Sequence, residues 1–240
     1  MAAAAVPQVT IKTLYHYPLS RSVRALWLLN ELNVPCEVRR VKLMMGEGLA
    51  PEFMALNPNH AVPVLTYTTA DGKELAMFES AALLRFIAAF CNGEHLMAVA
   101  GRHAPEVVAD FEQTYAFAAV TMDMVLWNLR VVCDFHGRKP EHDDLVSAWA
   151  AKWNDEIMPQ LAARLDKAEV MCPALGFSLA DIMTCHCLTW ARKYVGMKIL
   201  ARYPPSVDAF VKRMQARKAL QDATKDRDLF EKDGSPKALL

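Results

Sequence analysis

Residues 60–84, HAVPVLTYTTADGKELAMFESAALL, constrain the fold more than any other stretch of the chain. Two short apolar runs over 62–67 and 74–78 flank the pair Asp71-Gly72. An Asp-Gly pair between two such runs is a strong signal for a β-hairpin. We therefore predict two antiparallel strands here, followed by a helix.

A proline stands where the first of these strands begins. Pro63 cannot donate a hydrogen bond to a sheet, so it belongs at an edge or a bend. The Val62–Pro63 bond is a candidate cis peptide bond, which could turn the N–H and C=O of Val62 outward. An extended peptide ligand could then pair with Val62 in the manner of an added strand.

Glu79 and Ser80 stand where the second strand ends and the helix predicted over 80–90 begins. A helix N-terminus presents free N–H groups that bind a carboxylate, and the Ser80 hydroxyl adds a donor. An ionised Glu79 accepts hydrogen bonds only and can bind an ammonium group. The pair suits a ligand with an α-amino and an α-carboxylate group. The alternative is that Ser80 caps the helix and Glu79 is solvated.

The residues before the hairpin predict the rest of a small α/β domain. Alternating and apolar patterns indicate a strand at 9–15 and a helix from Ser22. They also indicate a second strand at 36–43 and a short helix at 51–57. The order β-α-β-(α)-β-β-α mixes parallel and antiparallel strands, which predicts an α/β sheet domain of about 80 residues.

After Asn92-Gly93 the pattern becomes helical throughout, and we predict an all-helical second domain. Its helices are expected at 105–135, 141–168, 178–194, 205–217 and 218–226. The predicted organisation is a first domain over 9–91, a linker over 92–104, a helical domain over 105–228 and a tail over 229–240.

Ser178 and Asp181 stand just before an apolar helical stretch of the second domain. Their spacing matches a capping box, with Asp in place of the usual Glu. We expect this pair to start a buried helix and to serve folding rather than chemistry.

Composition excludes several classes of function. The 27 basic side chains balance the 27 acidic ones, so nothing favours a nucleic acid or an anionic membrane as partner. No run of about 18 apolar residues suggests a transmembrane helix. The first residues lack the charged n-region of a signal peptide, and we expect a disordered leader.

The six cysteines form no CxxC pair and suggest no disulfide framework; they lie at 36, 91, 133, 172, 185 and 187. Reduced cysteines in a cytoplasmic protein are the simple interpretation. Cys185-His186-Cys187 resembles a metal motif, but residues two apart on a helix point to different sides. We expect no metal site.

Five segments in this order resemble the cytosolic glutathione S-transferases: YHYPLSRSVRALWLLNELNVP, PEFMALNPNHAVPVL, FESAALLRFI, FSLADIMTCHCLTWA and YPPSVDAFVKRMQAR. The resemblance covers roughly residues 9–226 and is to the serine or tyrosine type, with a bacterial-like pattern. It implies a thioredoxin-like N-terminal domain followed by an all-helical C-terminal domain, and a homodimer in the cytoplasm with a role in detoxification.

The resemblance also implies an activity. Such proteins activate the thiol of glutathione for addition to apolar electrophiles, with a hydroxyl near the start of the first helix as the activating group. Ser20, four residues before Arg24, matches the serine-type position. Tyr15 matches the tyrosine-type position, and Ser22 is a further alternative that also suits a helix cap. No cysteine lies near this point, which argues against a mixed-disulfide mechanism.

The same resemblance implies glutathione-binding residues, namely His60, Val62, Pro63, Glu79 and Ser80. Related sequences usually carry Gly and then Lys or Gln before Val-Pro, where this chain has His60 and Ala61. His60 or Asn59 could compensate, Lys42 could reach the glycyl carboxylate, or glutathione could bind more weakly.

The electrophile pocket is expected at Tyr115 and Met122, although such residues are usually core or dimer interface. Two other functions stay open. One is a non-catalytic protein-interaction module of the same fold, and the other is a glutathione-dependent isomerase, dehalogenase or peroxidase.

Overall fold

The computed structural model describes residues 9–227, which divide into two compact units. The first unit contains residues 9–95 and 219–227, and the second contains residues 96–218. The predicted leader before residue 9 and the predicted tail over 229–240 lie outside the described residues.

The first unit is built on a four-stranded mixed sheet. Its strands are β1 (Val9–His16), β2 (Glu37–Arg40), β3 (Val64–Thr69) and β4 (Glu74–Phe78), in the order β2-β1-β3-β4. β1 pairs with β2 in parallel, and the other two pairs are antiparallel. The predicted mixture of strand directions is therefore confirmed, and the fold is thioredoxin-like.

The predicted hairpin joins β3 and β4. Gly72 has a φ of +83°, which favours glycine, and its N–H donates to the Thr69 carbonyl at 2.9 Å. The Thr69 hydroxyl also donates to the Asp71 carboxylate. These bonds close the turn and set the register of the two strands.

Three helices accompany the sheet: α1 (Ser22–Glu31), α2 (Pro51–Met54) and α3 (Ser80–Phe90). α1 and α3 pack against each other, and their inner side chains, such as Leu28 and Ile87, are fully buried. Burying such a side chain stabilises the fold by about 1.5–3 kcal/mol, which explains why the apolar runs form these helices.

Strand register brings three connecting segments to one end of the sheet. Val64 of β3 pairs with Tyr15 of β1 on one side and with Phe78 of β4 on the other. Residues 17–22, 60–63 and 79–80 directly continue these three strands at that end. The predicted serine, Val-Pro and Glu-Ser segments therefore meet although the chain separates them.

The segment after the second unit returns to the first. Helix α10 (Lys218–Ala223) is followed by a turn, and the Asn30 side-chain amide donates to the Ala219 carbonyl at 3.1 Å. Nε2 of His16 lies 3.1 Å from Oδ2 of Asp226, within hydrogen-bond distance. These contacts place residues 219–227 with the first unit, whereas the sequence assigned them to the helical domain.

The second unit is helical, as predicted. Its helices are α4 (Pro105–Ala116), α5 (Asp123–Arg130), α6 (Asp143–Ala151), α7 (Met158–Leu165), α8 (Leu179–Gly196) and α9 (Pro205–Gln215). Three π-helical segments make the longer helices continuous: Phe117–Met122, Val131–Phe135 and Lys152–Ile157. α8 packs against α4 and α9, and most of its residues are buried.

The continuous helix Pro105–Phe135 is long and apolar enough to cross a membrane by length and composition alone. The core helix of a water-soluble protein passes the same test, and this helix contributes Phe111, Leu126 and Leu129 to the core. It also carries Asp123 in a buried position.

Candidate active site

Two serines at the start of α1 form a compact hydrogen-bonded group with Tyr17. The Oγ atoms of Ser20 and Ser22 lie 2.7 Å apart. Ser20 Oγ lies 2.7 Å from the Tyr17 carbonyl and accepts the Ser22 N–H at 3.2 Å. The Tyr17 N–H donates to Ser22 Oγ at 3.1 Å. Ser20 is partly exposed and Ser22 is fully buried, so only Ser20 can meet a ligand directly.

His16 and Asp226 extend this group into the protein. Ser22 Oγ lies 2.8 Å from His16 Nδ1, and His16 Nε2 lies 3.1 Å from Asp226 Oδ2. His16 is 1% exposed. Burial opposes ionisation of Asp226, but its hydrogen bond to His16 outweighs burial, so the pKa of this carboxyl is lowered. Ser22 Oγ therefore bonds to Ser20, His16 and the Tyr17 backbone, and it does not cap α1.

Tyr15 lies apart from the serines. Its ring packs edge-on against Phe53 at 5.7 Å between centroids, and the Arg39 guanidinium lies 5.5 Å from it. Successive residues of a strand point to opposite faces, so Tyr15 and His16 face opposite sides of β1. The structure brings Ser20 and Ser22 together and separates Tyr15 from them.

The loop before β3 is fixed by Asn57, a residue that the sequence analysis missed. Asn57 is 2% exposed. Its amide donates to the Ala61 carbonyl at 2.8 Å, and its carbonyl accepts the Asn59 N–H at 3.0 Å. His60 is exposed with a φ of +44°. The only sequence signal for this role is the preference of Asn for turns.

Val62 follows this loop, and its bond to Pro63 is cis. The Val62 side chain belongs to a buried apolar cluster with Tyr17 and Phe53. Among residues 9–227, neither the N–H nor the C=O of Val62 has a hydrogen-bond partner. This short stretch of backbone can pair with an extended ligand.

Glu79 and Ser80 begin α3 as predicted. Glu79 is exposed and has a φ of +73°, an unfavourable conformation for a residue other than glycine. Such strain tends to occur at functional sites. Ser80 is 6% exposed, and its Oγ accepts a hydrogen bond at 3.0 Å from Nη1 of Arg24. Arg24 is buried, so a positive charge lies behind the start of this helix.

The residues expected to form the electrophile pocket are buried in the second unit. Met122 is fully buried, and Tyr115 is 4% exposed with its ring stacked on Phe111 at 5.6 Å. The same helix exposes Val120, Met124 and Trp127 instead. These three lie on one face because their spacing follows the helical repeat.

The cysteines do not form an obvious reactive or metal-binding site. Burial raises the pKa of the Cys36 thiol and raises that of Cys185 to about 12. Cys187 is fully buried and directed at the Ala118 carbonyl. Within the described part of the chain, no group of three or more His, Cys, Asp or Glu side chains is placed to hold a metal ion.

Comparison with known proteins agrees with this geometry. Residues 14–94 match the family model "Glutathione S-transferase, N-terminal domain". Glutathione S-transferase D7 of Anopheles gambiae is 34% identical over 85 residues, which are 35% of this chain and 37% of that protein. Glutathione S-transferase 3 of Zea mays is 42% identical over 76 residues, which are 31% of this chain and 32% of that protein. The chain thus matches about a third of the length of these curated relatives.

The similarity of fold extends much further. A glutathione transferase family member from Pseudomonas fluorescens, solved with two glutathione molecules bound, superposes with a TM-score of 0.75 at 21% identity. The superposition covers 93% of this chain and 95% of that one. Residues 14–94 therefore resemble the N-terminal domain of glutathione S-transferases, and the chain as a whole shares the fold of this solved glutathione transferase family member.

Proposed function

We propose that the protein is a glutathione transferase that activates the thiol of glutathione for addition to apolar electrophiles. The observation that carries this proposal is the convergence of three segments at one end of the sheet. They supply a hydroxyl at Ser20, an unpaired backbone at Val62 and a carboxylate-binding helix start at Ser80.

Each segment matches one part of the tripeptide. Val62 can pair with the cysteinyl backbone, as an added strand would. The Ser80 N–H and hydroxyl can bind the γ-glutamyl carboxylate at the N-terminus of α3, with the buried charge of Arg24 behind them. Glu79 is exposed and can accept the α-ammonium group. His60 stands where it could reach the glycyl carboxylate.

The hydroxyl near the thiol supplies the chemistry. A free thiol has a pKa near 8.5 and is mostly protonated at pH 7. One or two hydrogen bonds to the sulfur stabilise the thiolate by about 1.5–3 kcal/mol each, enough to lower that pKa by one to two units. Ser20 is the candidate donor because it is partly exposed, while Ser22 is buried and Tyr15 packs against Phe53.

Two variants test this assignment with two measurements. Calorimetric titration gives the Kd for glutathione, and conjugation of a dinitrophenyl halide gives kcat/KM. Ser20→Ala should lower kcat/KM about 10- to 100-fold, with a Kd close to the wild-type value. Tyr15→Phe should leave both values unchanged. Absence of glutathione binding at millimolar concentration by the folded wild-type protein would refute the proposal.

Second candidates follow from the loop at His60-Ala61, where the usual Lys or Gln is absent. A weaker glutathione site would suit a non-catalytic interaction module. A stoichiometric protein partner without thiol-transfer activity would favour that function. A glutathione-dependent isomerase, dehalogenase or peroxidase would share the same glutathione site, and assays with aryl halides, hydroperoxides and maleyl-type acids separate these classes.

We also propose an oligomeric state, a cellular location and a biological role for the protein. A two-fold homodimer in the cytoplasm, with a role in detoxification, fits the family and the six free cysteines. Sedimentation at several protein concentrations tests the dimer. The face formed by Val120, Met124 and Trp127 is a candidate for contact with an electrophile or a second subunit.

A further inference from the structure

A line of four side chains leads from the candidate thiol donor into the protein. It runs from Ser20 to Ser22, then to His16 and finally to Asp226, with successive distances of 2.7, 2.8 and 3.1 Å. The four residues come from the end of β1, the start of α1 and the turn after α10. A carboxylate, an imidazole and two hydroxyls in series can hold and move a proton.

The hydrogen-bond capacity of each atom fixes the resting arrangement. An ionised Asp226 accepts only, so Nε2 of His16 must carry a proton toward it. In the neutral imidazole Nδ1 is then an acceptor, and the Ser22 hydroxyl can donate to it. Ser22 Oγ accepts the Tyr17 N–H at 3.1 Å and can accept the Ser20 hydroxyl proton at 2.7 Å. The Tyr17 carbonyl, also 2.7 Å from Ser20 Oγ, is the other acceptor for that hydroxyl.

A second proton on His16 reverses the direction of the hydrogen bonds between His16, Ser22 and Ser20. Nδ1–H then donates to Ser22 Oγ, and the Ser22 hydroxyl donates to Ser20 Oγ. Ser20 Oγ also accepts the Ser22 N–H at 3.2 Å, so both of its lone pairs are used. The Ser20 hydroxyl can then donate to the Tyr17 carbonyl or outward, to a thiolate. Both hydroxyls and both ring nitrogens of the line have partners in both states.

The surroundings of His16 combine exclusion of water with a neighbouring carboxylate. His16 is 1% and Ser22 0% exposed, which keeps bulk water away from the inner half of the line. Asp226 supplies a negative charge at 3.1 Å. On β2, Arg40 is the register partner of His16 in the sheet. On α1, Arg24 is bonded to Ser80. Asp226 is thus the acid in direct contact with His16.

We propose that His16, held by Asp226, receives the proton of the glutathione thiol through Ser20 and Ser22. The inference rests on the proposed function. The S–H bond breaks and leaves its electron pair on sulfur, while the proton passes to Ser20 Oγ. The hydroxyl protons of Ser20 and Ser22 each move one place inward, and a new N–H bond forms at Nδ1. The proton leaves to solvent after the product departs.

His16 and Asp226 are positioning residues in this scheme, because they reach the thiol only through the serines. The scheme makes the wild-type protein form thiolate with little release of protons to the buffer. Thiolate is measured by its ultraviolet absorbance on glutathione binding. Proton release is measured by calorimetry in two buffers of different ionisation enthalpy.

The test variants are His16→Asn and Asp226→Asn, with His95→Asn as the control because His95 is exposed in the same unit. The Asn side chain at 16 can still bond to Ser22 but cannot take up a proton. We expect the pKa of the bound thiol to rise by about one unit in both variants, which is about tenfold less thiolate at pH 7. In His16→Asn each remaining thiolate should release one proton to the buffer. The Kd for glutathione should stay unchanged in both test variants. In the control His95→Asn, the pKa of the bound thiol should equal that of the wild type.

A measurement without glutathione completes the test. Nitrogen NMR of the free wild-type protein should show His16 with its proton on Nε2 at pH 7. A proton on Nδ1, or release of one proton per thiolate formed by the wild type, would overturn the relay while leaving the proposed function intact. A folded protein that does not bind glutathione would overturn both. If His16→Asn fails to fold, Asp226→Asn and the NMR measurement decide.

Discussion

Replacement of Asp181 by Ala gives the sharpest prediction for stability. The carboxylate is fully buried at the start of α8. Oδ1 accepts the Met171 N–H at 2.8 Å, and Oδ2 accepts the N–H and hydroxyl of Ser178 at 2.8 and 2.9 Å. One side chain therefore satisfies two buried backbone donors and ties a loop to the start of α8.

The size of the effect follows from what the variant leaves unbonded. Each buried N–H that loses its acceptor costs about 1–3 kcal/mol, and the Ser178 hydroxyl loses its partner as well. We expect Asp181→Ala to lower the free energy of unfolding by about 2–5 kcal/mol. Asp181→Asn keeps one carbonyl oxygen but turns its amide toward a donor, so about half of that loss should remain.

Urea unfolding followed by tryptophan fluorescence and far-ultraviolet circular dichroism measures the loss in the full chain. Asp155→Ala is the matched control, because Asp155 is exposed in the same unit, and it should change the free energy of unfolding by less than about 0.5 kcal/mol. A loss for Asp181→Ala as small as that of the control would refute the reasoning. It would mean that water or a shifted backbone satisfies the two donors.

Three further predictions concern the pH dependence, the ligand and the core. Burial raises the pKa of Asp181 to about 6 in the folded protein, against about 3.9 unfolded; the wild type should therefore lose stability relative to Asp181→Asn as pH rises from about 4 to about 6, and urea unfolding of both at several pH values should show no further change above about pH 7. Ser80→Ala removes a hydrogen bond to a charged group and should raise the Kd for glutathione by calorimetry about 10- to 100-fold; an unchanged Kd would place the carboxylate elsewhere. Met122→Ala should destabilise by about 2–5 kcal/mol and the exposed Val120→Ala by less than about 0.5 kcal/mol, and equal effects in thermal unfolding would contradict the burial of Met122.

Local patterns explain why the elements of the first unit were predictable. The hairpin at Asp71-Gly72 depends on a turn of four residues and on apolar runs beside it, and all of this information lies within about 15 residues. The capping box at Ser178 and Asp181 is similarly local, and its hydrogen bonds are present. Such features need no knowledge of the tertiary fold, so the sequence alone indicates them.

Contacts between distant residues were not predictable in this way. His16 and Asp226 are 210 positions apart, and Arg24 and Ser80 are 56 apart. In the sequence, His16 is one residue at the end of an alternating strand, and Asp226 follows a short helix near the end of the described chain. Nothing in either local pattern indicates a partner, because the pairing is set by the return of α10 to the first unit.

The difference between local sequence patterns and contacts of distant residues also separates two parts of the candidate site. One part recognises the ligand, and the other sets its chemistry. Backbone at Val62 and the helix start at Ser80 recognise groups that every molecule of glutathione carries, and short motifs encode both. The behaviour of Ser20 is different, because the direction of its hydroxyl depends on Ser22, and that of Ser22 depends on the proton of His16. Two chains with the same Val-Pro and Glu-Ser motifs can therefore bind the same thiol and ionise it to different extents, since the residues that hold its proton lie outside the motifs.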